Sequence, residues 1–209
     1  MKKFLKFLGI VILLGLIFIL VSGLFISREY HFERSISIQA PREEIWKNIS
    51  LFSNFEKWDP WKVRDTGMLR TITGTDGTVG ATYSWKGNKA VGSGSQTMRT
   101  IQPFEHIAID LQCVQPFAFK AAVFYHLVPE GKATKITWGF DSKMAYPFNA
   151  VSYFFMDRDA RMDQVFSAGL ANLKKLCESS ATMTAMNDTR SIKGRSQVPA
   201  QLSGVSAER

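Results

Sequence analysis

The chain is expected to fold as an α+β domain: one antiparallel sheet closed by a long C-terminal helix, preceded by a separate apolar helix. Three observations lead there. Phe7 to Ile26 is apolar throughout apart from Ser22 and three glycines. Between Met68 and Asp141, short alternating runs rich in β-branched and aromatic residues are divided by turn residues. Between Tyr146 and Glu178 the apolar residues recur at helical spacing. At about 100° per residue, Met162, Val165, Phe166, Gly169, Leu170, Leu173, Leu176 and Cys177 fall within an arc of roughly 140°. Such a stripe needs a large apolar surface, and the strands before it supply one.

Taken in order, the first element is the apolar one. Twenty residues at 1.5 Å each span roughly 30 Å, the thickness of a bilayer's hydrocarbon core. Lys2, Lys3 and Lys6 precede it, and Arg28 follows. A cleaved signal would have a shorter apolar region, about 7–15 residues, and a small-x-small site. The best site here, Val21-Ser22-Gly23, is poor and more apolar residues follow it. An uncleaved anchor over residues 1–28 is therefore favoured, with its basic flank in the cytoplasm and the folded domain facing the periplasm or cell exterior.

Tyr30 to Gln39 reads as a strand. Ala40-Pro41 opens a helix whose first turn carries Glu43 and Glu44, suited to the positive end of the dipole. Ile45, Ile49 and Phe52 form its buried face. Ser53 is placed to cap a second short helix that Asp59-Pro60 stops. Strands then follow at Met68–Thr73, Val79–Trp85, Ala90–Ile101, His106–Val114, Ala118–Val128 and Thr134–Ser142. Short connections between them imply antiparallel pairing. The expected domain covers residues 29–178. Residues 179–209, rich in small and polar types, read as a disordered tail.

The net charge of +8 is a weak clue to partners. Four of the basic residues lie in 1–28 without an acid, and 179–209 holds four against two acids, which leaves 18 basic and 16 acidic residues in 29–178. Nucleic-acid binding needs a concentrated basic face, so that class is set aside. The three histidines, His31, His106 and His126, fall on three different strands without zinc-site spacing. No metal or cofactor is expected. Gly92-Ser93-Gly94-Ser95 matches neither phosphate-loop spacing and precedes no helix, so its glycines mark a bulge or close packing. A nucleophile elbow is absent, and Cys113 lacks an activating base nearby in sequence. Cys113 and Cys177 are expected to be free thiols.

The aromatic residues carry more. Trp46, Trp58, Trp61, Trp85, Trp138, Tyr83, Phe124, Phe140 and Phe155 suit a bulky core, and equally a pocket with a few placed polar groups. Continuing the helix arithmetic backwards sets Val151 and Phe155 on the inner arc, together with Arg158 and Asp159. Burying those charges is costly unless they are paired. A helix break or a rim position is favoured. If they face a cavity, they are candidate ligand contacts with Asp110 and His126.

Several stretches together resemble the START-like, helix-grip superfamily (SRPBCC), and within it a bacterial polyketide cyclase/dehydrase-type branch of membrane-anchored proteins. They are Glu33-Arg34-Ser35-Ile36 to Ala40-Pro41, Trp58-Asp59-Pro60-Trp61, Gly74 to Gly80 followed by Trp85, Val91 to Gln96, Thr137 to Phe140 and Gly169 to Lys174. Asp59 stands where the family usually has serine. The resemblance implies a curved seven-stranded antiparallel sheet around the long helix, and a cavity between them for a hydrophobic ligand. It carries over no catalytic residue. The leading expectation is a membrane-anchored domain, held through residues 7–26, that binds a hydrophobic small molecule or lipid. Its candidate contacts are Trp85, Asp110, His126, Trp138, Phe155, Arg158 and Asp159. A cyclase/dehydratase enzyme would need at least two of Asp110, His126, Arg158 and Asp159 to converge in the cavity. An envelope interaction module would need no cavity.

Overall fold

A computed structural model describes residues 1–195, with side chains to Met183. Seven strands form one sheet in the order β1-β7-β6-β5-β4-β3-β2. They are β1 (Glu29–Ile38), β2 (Leu69–Thr73), β3 (Thr82–Lys86), β4 (Ser93–Gln102), β5 (His106–Gln115), β6 (Phe119–Glu130) and β7 (Ala133–Lys143). Every pair is antiparallel. β2 to β7 form a meander because tight turns can only return the chain alongside itself. β1 is separated from them by two helices and pairs instead with the last strand, Glu29 opposite Lys143 and Ile38 opposite Thr134.

This register gives the sheet two distinct ends. One holds the start of β1, the end of β7 and the β3–β4 and β5–β6 turns, and the N-terminal helix α1 (Lys2–Phe25) enters there. The other, distal end holds the β2–β3, β4–β5 and β6–β7 turns. α1 is long and apolar enough to cross a membrane, and its most apolar stretch is left unburied by the rest of the chain.

The expected Val79–Trp85 strand starts later, at Thr82. Gly80 has φ +90°, so residues 79–81 belong to the turn. The glycines at 92 and 94 do serve close packing. A Cβ on Gly92 would sit 2.0 Å from the Gln115 carbonyl oxygen, and one on Gly94 2.5 Å from the Trp85 ring. The β4–β5 register also shifts between Ser93 and Gly94, which is a bulge.

Helix α2 (Arg42–Ile49) begins after Pro41 as expected, and the short α3 (Phe52–Phe55) follows it. Ser53 is not the cap of α3. The helix starts earlier, and the carboxylate of Asp76 reaches over from the β2–β3 turn to accept the backbone N–H groups of Phe52 (2.8 Å) and Ser53 (3.0 Å). Burial raises the Asp76 carboxyl, but these N–H donors outweigh it and hold the group below the ordinary carboxylate range.

The predicted C-terminal helix is divided. α4 (Phe148–Phe155) ends at Met156, whose φ of −126° and ψ of 123° are extended. α5 runs Arg158–Arg195, and Asp157 Oδ1 accepts the Ala160 N–H at its start (3.1 Å). The apolar stripe lies on the sheet: Phe166, Leu170, Leu173 and Cys177 are buried, with Met162, Val165 and Leu176 packed beside them. Lys174 bonds the Ser37 carbonyl (2.9 Å), and the Gln39 N–H donates to Glu178 (2.8 Å), fixing α5 along β1. α5 continues beyond Glu178, where a disordered tail was expected to begin. Residues 179–183 contain no helix breaker, and Ser179 and Thr182 bond back to the carbonyls of Lys175 and Glu178. Residues 196–209 of that expected tail lie outside the described residues.

α4 leaves the sheet and packs on the last turns of α1. Asn149 is fully buried, and its Nδ2 donates to the carbonyls of Gly23 and Ile26, both at 2.8 Å. The Tyr146 hydroxyl donates to the Leu20 carbonyl (3.0 Å). The Gly23 and Ile26 carbonyls lie where the end of a helix leaves acceptors unpaired. Gly23 permits the approach, since a Cβ there would lie 3.0 Å from the Tyr146 ring and 3.4 Å from Asn149 Oδ1.

Candidate functional site

Alternation decides what the sheet offers α5. Leu111 and Cys113 of β5, Val123 and Tyr125 of β6, and Trp138 and Phe140 of β7 face the helix. Phe166 stacks on Trp138 with ring centroids 4.1 Å apart. Trp58 packs edge-on against Trp138 (5.5 Å) and Phe55 (4.8 Å). Packing is dense at the distal end and gives way toward the other. There a cavity of about 220 Å³ opens between the sheet and α5, walled also by Trp61, Met68, Tyr83, Trp85, Phe119 and Met162. Small-molecule pockets commonly span about 300–1,000 Å³, so this one suits a small ring or part of an acyl chain.

Few polar groups meet this wall, and each has a defined state. Asp59, within the Trp58-Asp59-Pro60-Trp61 run, is 4% exposed. Its Oδ1 accepts the Trp61 N–H (2.8 Å), and Oδ2 faces Arg70 (3.4 Å). Burial pushes its carboxyl up, and the Trp61 N–H and Arg70 offset that only in part. Arg70 also donates to the Tyr83 hydroxyl (3.2 Å) and pairs with Glu56 (3.6 Å). Burial raises the phenols of Tyr83 and Tyr125, so both stay protonated. The Cys113 thiol is likewise raised by burial, which argues against a thiolate nucleophile. Trp138 contributes a buried indole N–H that finds no acceptor among the described residues. That nitrogen is sealed by its neighbours, so Trp138 offers the cavity its ring and not the N–H.

Of the seven candidate contacts, the fold brings two to this cavity, Trp85 and Trp138. Asp110 and His126 lie on the other face of the sheet. Asp110 faces Arg99 at 3.6 Å, and His126 packs against His106, rings tilted and centroids 4.2 Å apart. The physical reason is strand parity: their neighbours Leu111 and Tyr125 point inward, so they must point outward. Asp110 borders an open, polar depression on that outer face, about 810 Å³, with His31, Lys120 and Asp141. It is more open than the cavity between the sheet and α5.

Arg158 and Asp159 take the rim position. The Asp159 carboxylate accepts the Tyr30 hydroxyl (2.9 Å), and the Arg158 guanidinium lies 4.5 Å above the Tyr30 ring. With the close Arg34–Asp163 ion pair, they dock the start of α5 on β1. Phe155 stands on α4, 73% exposed and away from the cavity. The four residues on which an enzyme reading rested therefore do not converge in the cavity. Sequence reading missed Asp59 and Arg70. The available signal was a carboxylate in an aromatic, proline-bounded run, where the resembling family usually has serine.

Cys113 and Cys177 are both free. Cys177 is fully buried, its thiol pushed up to about 12 by burial, and Asn48 Nδ2 lies 3.6 Å from its sulfur.

Comparison with known structures places this architecture among others of low sequence identity. A structural-genomics protein from Nitrosospira multiformis superposes with a TM-score of 0.54 at 20% identity, over 73% of this chain and 99% of that one. A protein from Rhizobium loti gives 0.55 at 12%, over 71% and 96%. One from Thermobifida fusca gives 0.52 at 19%, over 69% and 90%. At these identities the likeness is one of fold. No curated protein matches the chain. Residues 29–178, well over half its length, match the family described as "Polyketide cyclase / dehydrase and lipid transport". The sheet, the helix it holds and that match together make this chain a member of the polyketide cyclase/dehydrase and lipid transport family.

Proposed function

We propose that residues 29–178 form a domain that binds a small hydrophobic molecule or lipid between the sheet and α5, and that α1 anchors it to a membrane. The observation that carries the binding reading is the aromatic cavity between the sheet and α5. Trp85, Trp138 and Phe119 supply apolar contact. Asp59 and Tyr83, both held by Arg70, mark the polar end. The family's association with lipid transport agrees with this chemistry.

Retention of α1 is supported by its joint with α4. Removal of the chain up to Gly23 would strip Tyr146 of its acceptor, leave Asn149 with the Ile26 carbonyl alone and expose the packed face of α4. With Lys2, Lys3 and Lys6 on the cytoplasmic side, the domain faces the periplasm or cell exterior. The test is native mass spectrometry of the full chain, released from detergent after incubation with membrane lipid extract. A retained species is expected, weakened roughly tenfold in the Trp85→Ala chain, which removes an aromatic part of the cavity wall. Absence of any bound mass across the extract would overturn the binding reading.

A further inference from the structure

α4 and the β5–β6 turn expose large apolar side chains in a pattern that neither the core nor the cavity uses. On α4 and its end, Phe148, Tyr153, Phe155 and Met156 are between 46% and 73% exposed. On the β5–β6 turn, Val114 is 54% and Phe117 76% exposed. Register places both groups at the same end of the sheet. Ala121 of β6 pairs with Ser142 of β7, so the turn before Phe119 runs on past the end of β7, beside the segment that leads into α4. α1 enters at that end too, since Glu29, four residues after Phe25, pairs with Lys143.

The joint between α1 and α4 fixes how deep this surface lies. Phe154 of α4 touches Phe18 of α1, ring centroids 5.4 Å apart. Phe18 precedes the end of α1 by two helical turns, about 10 Å along its axis. A helix held at that level beside a membrane span has its apolar face in the boundary between headgroups and acyl chains. Interfacial helices sit about 5–10 Å into that zone, and tyrosine and phenylalanine suit it. Lys120 and Lys143, at the β5–β6 and β7 ends of the same rim, add charge that complements anionic headgroups.

We infer that α4 and the β5–β6 turn form a rim immersed in the surface of the bilayer that α1 crosses, with the cavity's near end held against the lipid. The inference rests on the anchor reading above. Trp85, Cys113, Phe119, Phe140 and Met162 all belong to the half of the cavity behind this rim. A hydrophobic ligand therefore exchanges with the leaflet and need not cross water. Ligands are membrane-borne and small in section: part of an acyl or prenyl-like chain, or a single small ring.

The test uses the full chain in nanodiscs of phosphatidylethanolamine and phosphatidylglycerol. Cys113→Ser removes the partly exposed thiol, and Cys177 stays, being fully buried. Nitroxide labels are placed singly through Phe155→Cys, Phe117→Cys, Leu13→Cys and, at the distal end, Val79→Cys. Paramagnetic relaxation by oxygen, which concentrates in lipid, is compared with relaxation by a water-soluble nickel chelate. Labels at 155 and 117 should favour oxygen severalfold over nickel, at a shallower depth than label 13, while label 79 favours nickel. These sites are exposed, so the labels displace no packed side chain. The rim is overturned, and the anchor stands, if label 13 reports lipid while 155 and 117 report water. A second copy of the chain is the occupant, and the inference fails, if label 155 shows dipolar broadening and no oxygen preference. If label 13 also reports water, the anchor falls and the rim with it.

Discussion

α4 and α5 come from one apolar stretch and have opposite fates. α5 presents a single stripe, and the sheet takes it: Phe166, Leu170, Leu173 and Cys177 are each at most 2% exposed. α4 is aromatic on nearly every side, and only Asn149, Ala150 and Ser152 are buried. Asn149 bonds α1 and Phe154 packs on Phe18 there, while Phe148, Tyr153 and Phe155 face outward. A soluble domain hides its large apolar side chains and exposes its small polar ones. α5 follows that rule, and α4 inverts it. The difference teaches that the two helices answer to different solvents, α5 to the protein's own core and α4 to the surroundings of α1.

Substitutions that strike each helix where it is held should separate them. The largest effect belongs to α5. Leu173 is fully buried between the sheet and α2, so Leu173→Ala should cost about 2–5 kcal/mol. Chemical denaturation of the detergent-solubilised chain, followed by tryptophan emission, would measure it. A loss below about 1 kcal/mol would mean that α5 is not gripped as described.

Next comes the joint. Asn149→Ala leaves the Gly23 and Ile26 carbonyls without the amide that bonds them, a loss of about 1–3 kcal/mol. That loss should appear locally. Amide hydrogen exchange over 148–155 should quicken roughly tenfold or more, while exchange over 162–177 stays unchanged. Equal acceleration in both helices would join what the structure separates.

Strand and helix periods made most of the architecture readable: seven strands, two helices between the first and second, and the stripe from Met162 to Cys177. The division at Met156–Asp157 was foreshadowed by Arg158 and Asp159 on an inner arc where charge is costly. Periodicity alone does not locate such a break, because helical phase resets across it. Trp85 and Trp138 stood out as strand aromatics, but composition alone does not separate a core ring from a pocket wall. Parity also held the answer for Asp110 and His126, since each adjoins an inward-facing Leu111 or Tyr125. Asp59 and Arg70 meet only through the fold, on an α3–β2 connection whose geometry no local pattern encodes. The use of Asn149 as a side-chain cap for a helix more than a hundred residues earlier was likewise out of reach.

A smaller effect concerns protonation, and it distinguishes the domain from the joint. Asp76 is held below its ordinary value, so it adds stability that is complete above the unfolded pKa and is lost as pH falls through the folded one. Asp59 has the opposite sign: raised by burial, it favours folding most below the unfolded value and less as pH climbs through the folded one. Asp76→Asn should cost about 0.5–2 kcal/mol at neutral pH, and the cost should shrink in acid. Melting temperatures between pH 3 and pH 7 would show it. The bonds joining α1 to α4 involve no carboxylate, so exchange over 148–155 should vary with pH only through its intrinsic chemistry.

The smallest effect is the most discriminating. Phe155 is a large aromatic residue, and were α4 part of the grip, its truncation would cost several kcal/mol, as core phenylalanines do. At 73% exposure it has little packing to lose. Phe155→Ser should therefore shift unfolding in detergent by no more than about 0.5 kcal/mol. A loss near that of Leu173→Ala would place α4 in the same core as α5 and dissolve the contrast between them. A near-zero value means that the burial of this ring, if it is buried at all in the working protein, is supplied by something outside the chain.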